Sequence, residues 1–353
     1  LSGHFDTAGI THHLLIGADA YKYDLRTGLY RYRGGNGTYT IDIYQPNYNV
    51  ARPEVGLLYE NNEQQDAYGI YVQDQMDLTD KFKLLVGLRF DSVDQDILET
   101  KSAVLSSSSQ SQVSPRIGLV YELNNAVTLY SSYSEGFLPL SGTDASGDPF
   151  GFEYSDSFEV GAKFSYQGIT GTLALFDATK SNMLVADPVN VGFSAPIGKA
   201  NSKGVELDLS TYITDDTKFN LSYAYIDAST ANDIINADWG VPIKKGSPLV
   251  NVPKNNLNLT LSHKTALLGK ELELGASYQY TSERLGDAAD LTFNLPSYQL
   301  VGIFGQVNLT ERTKLNISVN NIFDEEYAQS SYNALWVYPG APTQFKMSLA
   351  YQF

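Results

Sequence analysis

The last eleven residues, Thr343 to Phe353, read TQFKMSLAYQF and alternate strictly between two kinds of side chain. The odd positions from Phe345 to Phe353 carry Phe, Met, Leu, Tyr and Phe, whereas the even positions between them carry Lys, Ser, Ala and Gln. In an extended strand these two sets lie on opposite faces. One uncharged apolar face and one polar face are typical of a strand that separates lipid from the lumen of a transmembrane β-barrel.

The composition of the whole chain agrees with a membrane barrel. Its 353 residues include 25 Tyr, 16 Phe and 29 Gly, and the mean hydropathy is only -0.22. The sequence contains no run of about 18 apolar residues, so it predicts no transmembrane helix. A barrel needs no such run, because its lipid-facing residues alternate with polar residues that face the lumen.

Charge and cysteine content exclude several other classes of protein. The formal net charge is -16, which argues against nucleic acid as a partner, because phosphate binding needs clustered Lys and Arg. Cys is absent, which excludes a disulfide scaffold and a Cys-ligated metal site. The chain opens LSGHFDTAG without Met, and we expect it to be part of a longer protein.

Alternation between apolar and polar residues recurs along the chain and predicts about fourteen strands. Most of these segments reach the length of about 9–11 residues that crosses a bilayer at a tilt. Aromatic residues cluster near their ends, as expected for rings at the two membrane interfaces. The predicted strands are 13–23, 67–72, 82–90, 112–121, 126–133, 157–166, 171–179, 205–213, 219–225, 257–261, 272–280, 301–309, 315–319 and 343–353.

The connections between these strands alternate in length. Short turns on one rim and long loops on the other are typical of bacterial outer-membrane barrels, and a soluble β-sandwich would not segregate them in this way. The sequence therefore predicts an all-β, transmembrane antiparallel barrel. The predicted short turns are 78–81, 123–125, 167–170, 214–217, 265–269 and 310–313. The predicted long loops are about 25–64, 98–111, 137–156, 180–202, 228–254, 284–296 and 323–342.

Nine phrases carry a resemblance to a known family. In content and order they resemble the C-terminal barrel of a TonB-dependent siderophore receptor, and the ferric hydroxamate, or ferrichrome-type, group is the most similar. The resemblance covers essentially the whole chain. The phrases are YGIYVQDQ (68–75), LLVGLRFD (84–91), YSSYSEGFLP (130–139), SFEVGAKF (157–164), KGVELDL (203–209), VPKNNLNL (252–259), LPSYQLV (295–301), NISVNNIFDEEY (316–327) and the terminal YQF.

The resemblance implies a barrel of twenty-two strands with a plug domain in its lumen. Residues 1–353 would be the C-terminal portion of that barrel, with Ser2–Phe5 as the tail of one strand and Phe5–Thr11 as a periplasmic turn. The plug, the TonB box and roughly the first eight strands would be missing from this chain. The lumen charges would then face the plug; they are Glu159, Lys163, Glu206, Asp208, Glu271 and Glu273.

The function that the resemblance implies is import of a ferric siderophore across the bacterial outer membrane, energised by the TonB complex. No enzyme activity and no cofactor are expected, because the siderophore itself wraps the iron. Phage and bacteriocins are further partners that the long loops permit. The alternative is a passive, closed fourteen-stranded porin for small solutes. A third class, an outer-membrane hydrolase, lacks support, because His263 lies beside a short turn with no Ser nucleophile motif nearby.

Loop aromatics are the candidate siderophore contacts, because Tyr and Trp combine a broad apolar face with a polar tip. Tyr332 ranks first, since in the resemblance it occupies a last-loop position where ferrichrome-type receptors place a ligand-contacting ring. The alternative is that such rings pack loop against loop. The other main candidates are Tyr30, Tyr44, Tyr32, Trp336 and Trp239, and the wider set adds Tyr39, Tyr48, Phe137, Phe150, Phe152 and Tyr338.

Metal ligation by the protein is not expected. His12 and His13 are adjacent and would point to opposite faces of a strand, so they cannot chelate one ion together. The four His residues are scattered. Asp91, Asp94 and Asp96 lack the Gly and distal Glu of a calcium loop.

Overall fold

A computed structural model describes residues 1–32, 34, 40–190, 192–236 and 240–353. Its regular structure in these ranges consists of strands. In chain order they are β1 (Ser2–Thr7), β2 (Ile10–Arg31), β3 (Gly56–Asp77), β4 (Phe82–Glu99), β5 (Val104–Asn124), β6 (Val127–Pro139), β7 (Phe152–Tyr166), β8 (Ile169–Ala186), β9 (Ser194–Thr214), β10 (Thr217–Thr230), β11 (Ile234–Ile235), β12 (Pro242–Ile243), β13 (Asn255–Leu267), β14 (Lys270–Thr281), β15 (Arg284–Leu285), β16 (Asn294–Leu295), β17 (Tyr298–Thr310), β18 (Thr313–Asn320), β19 (Ala328–Asn333), β20 (Trp336–Pro339) and β21 (Gln344–Tyr351).

Fifteen of these strands form one antiparallel sheet in which each strand pairs with its neighbours in the chain. The order is β1-β2-β3-β4-β5-β6-β7-β8-β9-β10-β13-β14-β17-β18-β21. The pairs β11–β12, β15–β16 and β19–β20 are small hairpins within the long loops. The predicted fold class is confirmed. The count exceeds the expected fourteen by one, because the Ser2–Phe5 tail pairs with β2 as a full strand.

Turn lengths confirm the two unlike rims. One rim carries the turns 8–9, 78–81, 125–126, 167–168, 215–216, 268–269 and 311–312. The other rim carries the connections 32–55, 100–103, 140–151, 187–193, 231–254, 282–297 and 321–343. The connections of the first rim have two or four residues. On the second rim, three of the long loops contain a small hairpin of their own.

Two predicted long loops are wrong. The segment 98–111 is mostly strand, because β4 and β5 stay paired up to Glu99 and Val104 and only four residues turn between them. The predicted loop 180–202 is likewise too long: β8 continues to Ala186 and β9 begins at Ser194, so only residues 187–193 connect them. Above the membrane neither face of a hairpin touches lipid, so its sequence loses the apolar alternation while its backbone ladder continues. The serine-rich run of β5 shows this directly.

The outer face of the sheet is a continuous apolar band. Ile16, Val72 and Leu88 are register partners on it. Leu88 is 50 % exposed and Ile70 is 57 % exposed, although both belong to central, well-paired strands. Aromatic rings lie at the edge of the band next to the short turns. The ring centroids of Phe82 and Tyr121 are 5.8 Å apart there, and Tyr166 and Tyr212 are exposed near the ends of their strands. An exposed band of this kind is stable when lipid covers it.

In the ranges given above, no helix is long and apolar enough to cross a bilayer.

The inner face of the sheet is mainly polar. Phe304 is the exception that breaks the predicted alternation of 301–309, and its ring lies flat over Gly275 of the neighbouring strand. A Cβ at Gly275 would collide with that ring. Tyr71 covers Gly17 in the same way, so large rings lie flat along the wall. Uncharged polar residues on this face include Ser114, Ser222, Asn258, Ser277, Gln306 and Asn316.

The two faces can be tested with adjacent residues. Leu209, Leu221 and Leu259 are register neighbours on the outer face, whereas Ser222 lies opposite Asp208 on the inner face. Leu221→Lys should destabilise the barrel by about 2 kcal/mol or more, because the ammonium group would face hydrocarbon. Ser222→Lys is the matched control and should change stability by less than about 0.5 kcal/mol. Denaturant titration of the full-length protein in lipid vesicles measures both; equal destabilisation would contradict the assignment of the faces.

Candidate functional site

The β6–β7 hairpin leans into the lumen. Pairing between β5 and β6 stops at Ser134, but pairing between β6 and β7 continues to Pro139. The free upper part of the hairpin crosses the inner face of β3 and β4, where the ring of Phe152 packs against Ala67 and Val93. Phe152 is 3 % exposed, which makes this a small apolar core above the membrane.

Polar contacts hold the 140–151 loop against the same wall. Glu63 is buried, and its carboxylate accepts hydrogen bonds from Gln95 Nε2 (2.8 Å) and Ser141 Oγ (3.2 Å). Gln95 Nε2 also donates to the Leu140 carbonyl oxygen (3.0 Å). Phe150 is 6 % exposed. Phe150 and Phe152 therefore pack loop against wall, which favours the structural reading of these aromatics over ligand contact.

A second buried centre joins the last three long loops. Ser331 in the 321–343 loop donates from Oγ to the carbonyl oxygen of Gly286 in the 282–297 loop (2.5 Å). Ala334 N–H donates to Asp287 Oδ2 between the same loops (3.0 Å). Asn251 ties the 231–254 loop to both of the others. We call this set the three-loop junction. Its polar residues are Asn251, Arg284, Asp287, Ser331 and Asn333, and all but Asn251 are buried.

Arg284 lies at the base of the three-loop junction with only 4 % of its surface exposed. Its Nη2 donates to the carbonyl oxygens of Ala328 (2.7 Å) and Gln329 (3.0 Å), and its guanidinium carbon lies 5.4 Å from the centre of the Tyr298 ring. Tyr298 stacks in turn on Tyr327 at 4.4 Å. Burial lowers the pKa of Arg284 from its ordinary value. Within the described ranges no carboxylate lies within ion-pair distance of Arg284, and its buried Nη1 has no hydrogen-bond partner. Two carbonyl dipoles and an aromatic face are therefore the groups that offset its charge.

Tyr332 and Trp336 form an exposed ring pair on the hairpin that the three-loop junction supports. Ser331 and Asn333 point into the junction, so strand alternation turns Tyr332 to the opposite, open side, where it is 51 % exposed. Its ring lies edge-on to Trp336, with centroids 5.8 Å apart. Asn333 Oδ1 accepts from Leu335 N–H and Trp336 N–H and so fixes the turn between the rings. The structure thus brings together two of the six predicted contact residues.

Three of the other predicted residues, Tyr30, Tyr32 and Tyr44, lie near the opposite end of the strand order. Tyr30 is the second-last residue of β2, and its hydroxyl donates to Glu60 Oε2 (3.1 Å). Tyr44 is 88 % exposed in the 32–55 loop, where its backbone N–H donates to Asp42. Tyr32 is half-exposed beside Gly34. Trp239 and Tyr39 lie outside the described residues.

Several junction residues were not among the sequence-based candidates. Asn251, Arg284 and Ser331 are separated by 33 to 80 positions in the chain, and their contacts are non-local. The one local signal is that Asn251 directly precedes the VPKNNLNL phrase and adopts a left-handed backbone, which Asn tolerates.

The histidines behave as expected from their alternation. His12 Nδ1 lies 2.6 Å from Asp74, while His13 Nε2 lies 3.2 Å from Asp77, so the two rings have separate partners. In the part of the chain that the structure describes, no group of three or more His, Cys, Asp or Glu residues is arranged to hold a metal ion.

The lumen charge Glu159 accepts a hydrogen bond from the Tyr130 hydroxyl (2.6 Å).

The contact that positions Tyr30 should be pH-dependent. The hydrogen-bonded Arg26 guanidinium holds the pKa of Glu60 below its usual range. Because the folded pKa is lowered, the stabilisation is present near neutral pH and is lost as pH falls below about 4.3 and through the folded value. Amide exchange at 56–60, corrected for intrinsic rates, should therefore rise between pH 5 and pH 3. Glu60→Gln is the control, and a pH response that persists in it would contradict the assignment.

Comparison with known proteins places the fold in a family. The family model described as TonB dependent receptor-like, beta-barrel matches residues 1–322. The chain is 34% identical to the metal-pseudopaline receptor CntO of Pseudomonas aeruginosa and 29% identical to the ferrichrome outer membrane transporter/phage receptor of Escherichia coli. Both alignments cover 100% of this chain but only 50% and 47% of the relatives, so the chain spans about half their length.

A solved structure supports the fold. The closed form of the ferric-catecholate import receptor Fiu from Escherichia coli superimposes with a TM-score of 0.80 at 18% identity, over 100% of this chain and 53% of that one. At this identity the likeness concerns the fold alone. Together with the apolar outer band, the family match supports one conclusion: the chain belongs to the TonB-dependent receptor-like β-barrel family and is an outer-membrane protein.

Proposed function

We propose that this chain forms the larger part of the barrel of a receptor that imports a ferric siderophore or a related metal–chelator complex across the outer membrane. The observation that carries the proposal is the exposed Tyr332–Trp336 pair on a hairpin that the three-loop junction supports. A rigid pair of rings offers a large contact area at low entropic cost, which suits a bulky preformed complex.

The proposed chemistry needs no metal ligand and no cofactor from the protein. A chelator that already wraps its metal presents amide, hydroxyl and apolar surface, and the metal travels as cargo. Aromatic faces and hydrogen-bonding tips are the appropriate contacts for such a surface. The names of the relatives are those of transport receptors, and no enzyme activity is proposed.

Two substrate classes compete. Our sequence-based proposal is a ferric hydroxamate, and the similarity to a ferrichrome transporter supports it. The second candidate is a metal-pseudopaline type of complex, which the higher identity to CntO favours, 34% against 29%. Because loops decide the ligand and diverge faster than strands, identity over the whole barrel does not choose between them.

Energy coupling and closure are part of the same proposal. In the described residues β1 and β21 do not pair with each other, so each edge leaves a row of backbone groups that hydrocarbon cannot satisfy. The relatives are about twice as long as this chain. We therefore propose that further strands complete the barrel, and that a plug domain and a TonB contact outside residues 1–353 couple it to energy. The family match and the unclosed sheet disfavour the fourteen-stranded porin.

Tyr332→Ala in the full-length protein should weaken binding of the transported complex at least about fivefold, because a loss of about 1 kcal/mol separates the minority of energetically important contact residues from the rest. Trp336→Ala should act in the same direction. Phe323→Ala is the matched control, because this ring is also exposed and belongs to the same loop but not to the hairpin. Isothermal titration with ferrichrome and with metal-pseudopaline measures the affinities. Unchanged affinity of the Tyr332 variant for the better of these probes would remove Tyr332 from the site.

The substrate class is decided by a panel of ferrichrome, ferrioxamine B, metal-pseudopaline and a ferric catecholate. Preference for ferrichrome or ferrioxamine B supports the hydroxamate class, and preference for metal-pseudopaline supports the second candidate. Preference for the catecholate would contradict both. Uptake in cells with and without functional TonB then tests the energy coupling.

A further inference from the structure

Asn251 is the residue at which three long loops meet. It has a φ of +64°, a backbone conformation that Asn and Gly adopt more readily than other residues. Its N–H donates to the carbonyl oxygen of Leu285 in the 282–297 loop (2.9 Å). Its side chain makes two hydrogen bonds with Ser331 in the 321–343 loop: Nδ2 donates to Ser331 O (2.7 Å), and Oδ1 accepts from Ser331 N–H (2.9 Å).

This paired contact fixes the backbone directly before Tyr332. Ser331 is 4 % exposed, so water has little access to replace either bond. Leaving those buried backbone groups without a partner would be costly. Because both polar groups of the Ser331 backbone are held, the next residue has to project to the other side of the strand. The orientation of the Tyr332 ring therefore depends on an amide side chain 80 residues earlier in the chain.

We propose that Asn251 is the positioning residue that holds the Tyr332–Trp336 pair in its binding orientation and couples it to the 231–254 and 282–297 loops. Binding of the transported complex to the ring pair would then affect the conformation of both of those loops. The inference rests on the proposed function in one respect, because it takes Tyr332 to be a contact of the transported complex.

The chain contains a matched control for this proposal. Asn232, in the same 231–254 loop, makes the same two-bond contact with different partners. Its Nδ2 donates to the carbonyl oxygen of Ile197 (2.8 Å), and its Oδ1 accepts from Lys199 N–H (2.8 Å). Asn232 thus ties this loop to β9, on the side away from the ring pair. Loss of Asn232 should loosen β9 and leave the Tyr332 hairpin in place.

The test compares Asn251→Gly with Asn232→Gly in the full-length protein. Glycine accepts the positive φ and keeps the backbone bond to Leu285, so the variant removes only the side-chain contact. Hydrogen exchange followed by mass spectrometry should show faster exchange at 328–336 and at 284–295 for Asn251→Gly. For Asn232→Gly the faster exchange should appear at 194–200 and not at 328–336. Unchanged exchange at 328–336 in Asn251→Gly would overturn the proposal.

Binding of ferrichrome and metal-pseudopaline provides the second arm, as a double-mutant cycle with Tyr332→Ala. Asn251→Gly should lower affinity for the bound probe at least about fivefold in the wild-type background, and less than twofold when Tyr332 is already Ala. Equal losses in both backgrounds would show that Asn251 does not act through Tyr332. An equal loss from Asn232→Gly would also overturn the proposal, because any loosening of the loop would then suffice.

The two ideas fail in different ways. If Tyr332→Ala leaves affinity unchanged, the proposed ligand contact is wrong, and the positioning role for binding is wrong with it. Exchange at 328–336 would still show whether Asn251 joins the loops. If Tyr332→Ala weakens binding and Asn251→Gly does not, the ligand contact stands and the positioning role is contradicted.

Discussion

A polypeptide backbone in hydrocarbon has no water to bond with, so every N–H and carbonyl group in the membrane needs a partner within the protein. The paired strands of the fifteen-stranded ladder meet this requirement for each other, whereas the two edge strands, β1 and β21, each lack a partner on one side. Because the backbone of the ladder is the same throughout, only the side chains differ between its two faces. Alternation along each strand places apolar side chains on the outer band and polar side chains on the inner wall. Rings that break the alternation, such as Phe304, are accommodated over glycine on the neighbouring strand.

Above the membrane the same requirement is met by different means. The long loops lack an extended ladder, and buried side chains supply the missing donors and acceptors. Asn251 bonds a serine backbone as a strand neighbour would, and Arg284 bonds two carbonyl oxygens. Gln95 bonds the Leu140 carbonyl oxygen of the 140–151 loop, and Glu63 accepts from both Gln95 and the Ser141 hydroxyl. One of these loops presents the exposed Tyr332–Trp336 pair on a hairpin that such contacts hold in place.

The sequence predicts those features that depend on alternation and fails where contacts are non-local. The terminal strand, the alternation of long and short connections and the exception at Phe304 are all visible in the order of residues. The strand of 104–111 is not, because a serine run above the membrane has no apolar face to reveal it. The candidate site divides in the same way. The exposure of Tyr332 is what the sequence predicts for an aromatic residue in a long loop. The burial of Phe150 and Phe152 depends instead on the β6–β7 hairpin, which separates from β5 beyond Ser134. The three-loop junction joins residues up to 80 positions apart, which no local pattern encodes.

A structure of the full-length protein with its metal complex bound would test the ring pair and the three-loop junction together. We expect a closed barrel in which residues 1–353 keep the strand order described above. We also expect the metal complex in contact with Tyr332 and Trp336, and the Asn251–Ser331 hydrogen bonds intact beneath them. A complex bound away from these rings, or a three-loop junction rearranged in the bound state, would contradict this expectation.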